Sequence, residues 1–334
     1  MSDVKVIAEI ASAHGGDKAS LMILLERANQ TGADFIKIQV FNFSELVHSI
    51  EGEINDLEQI ELSINDWVEI LNFAALKGIK LLAEVYDLSS LKILKNNPSI
   101  VGFKIPTADI NNSELIKEVA NEEKPVFIGI GGAKINEIEQ SIKELSINGA
   151  TEIILLHGIQ SFPTKLEDSF LSKIPLLKEQ FNLEIGYADH IDAEEENLAM
   201  LVPSIAVALG AKFIEKHITL DRSKKGFDYY SSLNPDEFTK FVRLIKNTSL
   251  AISNVNTLDL GNAEILYRNK MKKFGILGSD AAKGQLISES DIVFKRLAQT
   301  GLTRFDLEQM HNHRFKDNYQ KNTPIQREHL FNNE

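Results

Sequence analysis

The feature that most constrains this chain is a regular alternation of short apolar segments with longer segments of helical periodicity. The first unit predicts a strand over Val4–Ile10 and a helix over Ala19–Gln30, which Gly32 closes. The same unit repeats, with further strands predicted at Phe35–Phe41, Lys80–Tyr86, Ile100–Pro106, Pro125–Ile130, Glu152–Gly158, Leu183–Asp189 and Lys212–Thr219. Eight such units favour an α/β fold of the closed (β/α)8 type, a TIM barrel, over an open sheet of six or seven strands.

The length of the chain indicates a second, smaller domain. A barrel of this type needs roughly 250 residues, and the chain has 334. We predict the barrel at 1–254, a linker at 255–267 and a small domain at 268–334. The last segment contains short predicted strands near Lys273–Leu277 and Asp291–Arg296 and no long helical period.

Charge and composition exclude several classes of partner. A formal net charge of −12 repels phosphate backbones and anionic lipid, so we expect neither nucleic acid nor a membrane as partner. The chain passes directly into a strand and contains no long uninterrupted apolar run, which predicts a cytoplasmic location. There are no cysteines, so any bound metal would need His, Asp, Glu or water as ligands.

Charged residues occur on predicted strands that are otherwise apolar. Lys37 and Gln39 lie two residues apart, as do Glu215 and His217, so each pair projects to one side of its strand. The barrel axis is the cheaper side for a charge, and the carboxyl ends of the strands carry the active site in such barrels. An internal salt bridge would explain one buried lysine. Two such lysines, Lys37 and Lys104, favour binding of a carboxylate or phosphate ligand.

Two histidines are predicted at the ends of neighbouring strands. His190 ends the seventh strand and His217 lies near the end of the eighth. Either histidine alone would be explained as an ordinary hydrogen-bonded residue, but two imidazoles together with a carboxylate are suited to manganese, magnesium or a similar divalent ion. The glycine turn at 129–132 offers backbone N–H groups to a phosphate, although such turns are common.

Several motifs resemble those of the N-acetylneuraminate (sialic acid) synthase family, including its pseudaminic and legionaminic acid relatives. The resemblance covers nearly the whole chain, from Ile7-Ala-Glu-Ile to the tail around Phe294-Lys-Arg. Its most specific segments are Gly186-Tyr-Ala-Asp-His and Ala208 to Arg222, the latter continuing to Gly226-Phe-Asp. The segment that begins at Ala282 resembles the antifreeze-like (SAF) domain of that family.

The resemblance implies roles for particular residues. His190 and His217 would bind a divalent metal, manganese or magnesium, and Arg296 would reach the partner's site in a domain-swapped homodimer. The catalytic positions would be Glu9, Asp109, Lys37 and Lys104, with the two lysines holding phosphoenolpyruvate. The substrate-binding positions would be Gln39, Thr107, Gly129, Gln160, Asp189, Asp228 and Arg296, with Asp228 helping to hold the sugar.

This sequence departs from the family pattern on the donor side. Glu84 and Gly129 stand where relatives usually carry small hydroxyl residues that bind phosphate. Gln160 replaces the usual asparagine, and Asp109 is one methylene shorter than the usual glutamate. A carboxylate at position 84 would repel a phosphate unless a lysine or the metal neutralised it.

The resemblance and the residues together predict an enzyme, a transferase of carbohydrate biosynthesis. It would condense phosphoenolpyruvate with an N-acetylmannosamine-type aldehyde to give a nine-carbon 2-keto sugar acid (a nonulosonic acid) and phosphate. A Schiff-base aldolase is one alternative, because a lysine inside a barrel can attack a keto group. A barrel that has lost catalysis and serves as a sugar-binding or scaffold protein is another.

Overall fold

A closed barrel of parallel strands forms the centre of the fold. The computed structural model describes residues 4–47, 55–161, 163–252 and 258–332. The barrel strands are β1 Lys5–Glu9, β2 Phe35–Val40, β3 Leu81–Val85, β4 Ile100–Ile105, β5 Val126–Gly129, β6 Ile153–His157, β7 Glu184–Asp189 and β8 Phe213–Ile218. They pair in chain order, and β1 pairs with β8 to close the ring. The predicted (β/α)8 fold is confirmed.

Helices connect the barrel strands. They are α1 Lys18–Gln30, α2 Phe43–Leu46, α3 Asn55–Ile60, α4 Ile64–Lys77, α5 Leu88–Leu94, α6 Ser113–Ala120, α7 Ile135–Ile147, α8 Lys173–Phe181, α9 Glu196–Ala208 and α10 Pro235–Ile252. The Asp17 side chain caps α1 by accepting from the Ser20 N–H, and α4 ends at Gly78 in the left-handed conformation (φ +66°) that turns the chain toward β3. Within the described ranges, no helix is both long and apolar enough to cross a bilayer.

The barrel interior is layered. At the amino ends of the strands, Ile7, Leu82 and Phe127 belong to an apolar cluster that fills the barrel. Two residues further along the same strands lie Glu9, Glu84 and Gly129, because alternate residues of a strand share one face. An apolar floor therefore supports a polar layer near the carboxyl ends. The outward-facing strand residues pack in a larger core with the helices.

The chain divides after Asn254, and residues 255–334 form a second compact unit. After β9 (Ser232–Leu233) and the helix α10 of the first unit, this unit contains α11 Asn262–Met271, β10 Lys273–Leu277, β11 Ile292–Arg296, α12 Arg304–Glu308, β12 His313–Phe315 and β13 Leu330–Asn332. β10 pairs antiparallel with β11, and β12 with β13. The unit has its own apolar core, which includes Leu277, Phe315 and Ile325.

Two predictions, the linker and the antifreeze-like domain, concern the second unit. The predicted linker, 255–267, includes the first residues of α11, while residues 255–257 lie outside the described part of the chain. The antifreeze-like identity of the unit stays a prediction.

Candidate active site

Five buried charged side chains meet inside the barrel near the carboxyl ends of the strands; we call them the charge cluster. They are Glu9, Lys37, Glu84, Lys104 and Glu215. The Lys37 Nζ lies 2.6 Å from Glu9 Oε2, 2.8 Å from Glu84 Oε2 and 2.7 Å from Glu215 Oε1. The Lys104 Nζ lies 3.0 Å from Glu215 Oε1 and 3.4 Å from Glu84 Oε1. No side chain of the cluster is more than 3% exposed.

The strand register explains why these residues meet. Glu9 of β1 is in register with Lys37 of β2, and Glu84 of β3 is in register with Lys104 of β4. Glu215 lies on β8, which pairs with β1 where the barrel closes. All five side chains point toward the axis, so residues that are up to 178 positions apart in sequence are brought into contact.

The charge cluster has one more carboxylate than ammonium group. Burial alone would raise the pKa of Glu215, but Lys104 and Lys37 more than offset this and lower it. Burial alone would lower the pKa of Lys104, but Glu215 and Glu84 raise it. Two ammonium groups and three carboxylates leave one net negative charge when all five are ionised. Glu9 Oε1 and Glu215 Oε2 are buried and accept no hydrogen bond from the described residues. Both oxygens can therefore accept a further hydrogen bond inside the barrel.

Two histidines lie beside the charge cluster. The ring centroids of His190 and His217 are 5.3 Å apart. His217 is in register with Glu9, while the backbone carbonyl of His190 accepts from the Thr164 N–H and the Ser231 hydroxyl. Burial lowers the pKa of His190 to about 3 and that of His217 well below its usual value. Both imidazoles are therefore neutral near pH 7, which is the form that binds a metal.

This arrangement fits a divalent cation. The donors are two neutral imidazoles, and the adjacent charge cluster has a negative excess that a cation would offset. Among the described residues, no third His, Asp or Glu joins the pair to form a three-ligand site. The described residues thus offer two nitrogen ligands to an ion at this place.

Gln39, Asp228, Thr107 and Gly129 lie around the same mouth. The Gln39 amide donates to Glu84 Oε2 at 3.3 Å. Asp228 Oδ2 accepts from the Ser12 N–H at 3.1 Å, and burial raises the pKa of Asp228. Thr107 follows β4 and approaches Gly129, where an added Cβ would lie 3.0 Å from the threonine hydroxyl. Absence of a side chain at Gly129 therefore leaves room for Thr107.

Asp109, Gln160 and Arg296 are the remaining predicted site residues. Asp109 is in a short 3-10 turn after β4 and accepts from the Asn112 amide at 2.9 Å. Gln160 is exposed after β6, and Arg296 is exposed on β11 of the second unit. Their catalytic and substrate-binding roles stay predictions.

Asp189 is engaged in a separate buried ion pair. Its Oδ2 lies 2.6 Å from the Lys216 Nζ, and both side chains are 0% exposed. Lys216 falls between Glu215 and His217 on β8, so it points to the opposite face, toward the helices. Asp189 lies two residues after Tyr187 and therefore on the same face of β7, and Tyr187 belongs to the outer core. This pair anchors the end of β7 directly before His190.

The sequence predicts Glu84 on the donor side and Glu215 on the inward face of its strand, but it predicts no binding or catalytic role for either residue or for Lys216. Glu84 and Glu215 were recognisable as strand-end carboxylates, and their alternation with apolar residues marks the inward face. The sequence carries no signal for which lysine each would contact, because the partners come from different strands.

A comparison with protein families matches residues 24–257 to the NeuB family. This chain belongs to that family. An N,N'-diacetyllegionaminic acid synthase of Campylobacter jejuni is 30% identical and is matched over 89% of this chain and 92% of its own length. A pseudaminic acid synthase of the same species is 28% identical, over 86% of each chain. The predicted family resemblance is confirmed.

A solved structure supports the same assignment. The N-acetylneuraminic acid (sialic acid) synthetase of Leptospira borgpetersenii, determined in complex with citrate, is 30% identical and superimposes with a TM-score of 0.72. The match covers 80% of this chain and 92% of the synthetase. Truncated 3-deoxy-D-arabino-heptulosonate 7-phosphate synthase from Thermotoga maritima, at 18% identity and a TM-score of 0.59, shows a likeness of fold alone.

Proposed function

We propose that this NeuB-family chain is a nonulosonic acid synthase. It would condense phosphoenolpyruvate with an N-acetylmannosamine-type amino sugar and release inorganic phosphate. The observation that carries the proposal is the placement of two neutral imidazoles, His190 and His217, beside the charge cluster at one end of the barrel. Similarity to named legionaminic, pseudaminic and sialic acid synthases supports this class of reaction.

The proposed binding roles follow from charge. A divalent cation held by His190 and His217, manganese or magnesium, would supply a Lewis acid for the aldehyde oxygen. Lys37 and Lys104 would pair with the carboxylate and phosphate of the donor. In a domain-swapped homodimer, Arg296 of the antifreeze-like second unit would add a third positive charge. A cytoplasmic location is part of the same proposal.

The proposed chemistry forms one carbon–carbon bond. The enol carbon of phosphoenolpyruvate attacks the aldehyde carbon, and water then adds to the donor carbon that bears the phosphate. Glu9 or Asp109 takes the proton that this water loses, and the former aldehyde oxygen takes up a proton and becomes a hydroxyl group. Cleavage of the carbon–oxygen bond releases phosphate and leaves the 2-keto group. Glu9 suits the role because its Oε1 is buried and accepts no hydrogen bond from the described residues.

The other predicted positions would hold the two substrates. They are Gln39, Thr107, Gly129, Gln160, Asp189 and Asp228. Asp228 is the best supported of them, because it is largely buried at the mouth and its pKa is sensitive to the charge of Lys37. For Asp189 the buried contact with Lys216 supports an indirect role, in which it positions the neighbouring His190.

The ion pairs weigh against a Schiff-base aldolase. A lysine attacks a carbonyl only when it is uncharged. Lys37 contacts three carboxylates within 2.8 Å, and the pKa of Lys104 is raised. Burial lowers the pKa of Lys37, but its three carboxylate contacts favour the ammonium form, as the raised pKa does for Lys104. The synthase reaction is therefore the better supported proposal.

Phosphate release tests the proposal directly. The full chain is incubated with phosphoenolpyruvate and a panel of N-acetylated amino sugars, with manganese or magnesium or with a chelator. We expect release with at least one sugar, dependent on the cation, and a loss of about 100-fold or more in His190→Ala and His217→Ala. The exposed His311→Ala is the matched control. Metal binding with no turnover on any sugar would instead support the sugar-binding barrel.

A further inference from the structure

Glu84 spans the two lysines of the charge cluster. It lies on β3, between the strands that carry Lys37 and Lys104. One carboxylate oxygen is 2.8 Å from the Lys37 Nζ, and the other is 3.4 Å from the Lys104 Nζ. Its side chain is 0% exposed. This two-point contact is the same one that a ligand carboxylate or phosphate would make with the two ammonium groups.

The three carboxylates of the cluster are not equivalent. Of the two cluster lysines in the described part of the chain, Glu9 contacts Lys37, at 2.6 Å. Glu215 uses one oxygen to contact both lysines, at 2.7 and 3.0 Å. Glu84 makes the longest of these contacts, and it contacts the two lysines through separate oxygens, as a bound anion would. Glu84 is therefore the carboxylate that an incoming anion most directly opposes.

An anion at these lysines must share them with Glu84 or displace it. The Glu84 carboxylate is held at this level by its strand, and the Gln39 amide donates to it. A dianionic ligand would thus meet one negative charge at close range in a site with little access to solvent, where screening is weak. Removing that charge, with the shape of the side chain kept, would strengthen anion binding.

We propose that Glu84 is a specificity-determining residue, an internal competitor for the anionic donor at Lys37 and Lys104. This inference rests on the proposed function for the identity of the donor, phosphoenolpyruvate. The competition itself depends only on the contacts of the charge cluster. It sets how much positive charge the site leaves available to a phosphate.

The test is titration calorimetry of the full chain with inorganic phosphate, in chelator and at a pH where phosphate is a dianion. Glu84→Gln keeps the volume and removes the charge, and Glu84→Ser removes the whole carboxylate. Glu179→Gln makes the same charge change on the exposed face of α8 and is the matched control. We expect both Glu84 variants to bind phosphate about tenfold or more tightly than the wild type, and the control to bind as the wild type does.

Other outcomes overturn the inference. They are unchanged or weaker phosphate binding in folded Glu84 variants, equal strengthening by Glu179→Gln, and failure of both Glu84 variants to fold, which would make the residue structural.

A second measurement separates this inference from the proposed reaction. If the wild type releases phosphate from phosphoenolpyruvate but Glu84→Gln does not lower the KM for it, the inference fails alone. If Glu84→Gln binds phosphate more tightly but no sugar supports turnover, the synthase proposal fails alone.

Discussion

Replacing Lys216 by methionine is expected to destabilise the barrel strongly. The Lys216 Nζ lies 2.6 Å from Asp189 Oδ2 and donates to the Ile191 carbonyl at 3.0 Å. At that separation and an effective dielectric constant of about 20, the gross attraction is about 6 kcal/mol. The cost of removing both charges from water offsets much of it. The variant, however, leaves the buried Asp189 carboxylate without its cation, for which we expect a loss of about 3–5 kcal/mol.

Urea unfolding measures this loss. The single tryptophan, Trp67, is buried on α4 of the barrel and reports on that unit. The free energy of unfolding is compared for the wild type, Lys216→Met, Asp189→Asn and the double variant. The double variant removes both charges, so we expect it to recover about 2 kcal/mol or more relative to the sum of the single losses. Single variants within about 1 kcal/mol of the wild type, or strictly additive losses, would refute the reasoning.

Two further predictions concern His14 and Gly131. Burial lowers the pKa of His14 from 6.5 to about 4. As the pH falls from 6.5 toward 4, the unfolded state therefore binds a proton more readily than the folded state. The free energy of unfolding drops by up to about 3 kcal/mol over this range. Urea unfolding at pH 7 and pH 4.5 should show a smaller loss of unfolding free energy in His14→Gln than in the wild type. Equal losses in the two proteins would contradict this. At Gly131 an added Cβ would lie 1.8 Å from the Gly158 carbonyl oxygen, whereas at Gly226 no atom lies within 4 Å. Gly131→Ala should therefore cost about 2–4 kcal/mol, with Gly226→Ala near zero, and a wild-type melting temperature for Gly131→Ala would contradict this.

The strands were predictable to within one or two residues. The predicted strand Leu183–Asp189 is observed as Glu184–Asp189, and Lys212–Thr219 as Phe213–Ile218. Apolar runs that end in glycine or polar residues carry this information locally. The pairing of His190 with His217 was also predictable, because consecutive parallel strands are neighbours in a barrel.

The partners of the lysines were not predictable. The sequence left an internal salt bridge and anion binding open for Lys37, and the structure shows ion pairs with Glu9, Glu84 and Glu215. These contacts depend on the stagger of the strands and on the closure of β1 against β8. Neither the stagger nor the closure can be inferred from a local pattern of residues.

The sequence by itself determined the fold class, the inward-facing residues and the family, because strand alternation and motifs are local properties of the chain. Only the tertiary structure decided that five charges share one buried cluster with an excess carboxylate, and that Lys216 pairs with Asp189 on the opposite face. The physical reason is that the energy of a buried charge depends on its nearest neighbours in space. In a closed barrel those neighbours come from strands far apart in the sequence.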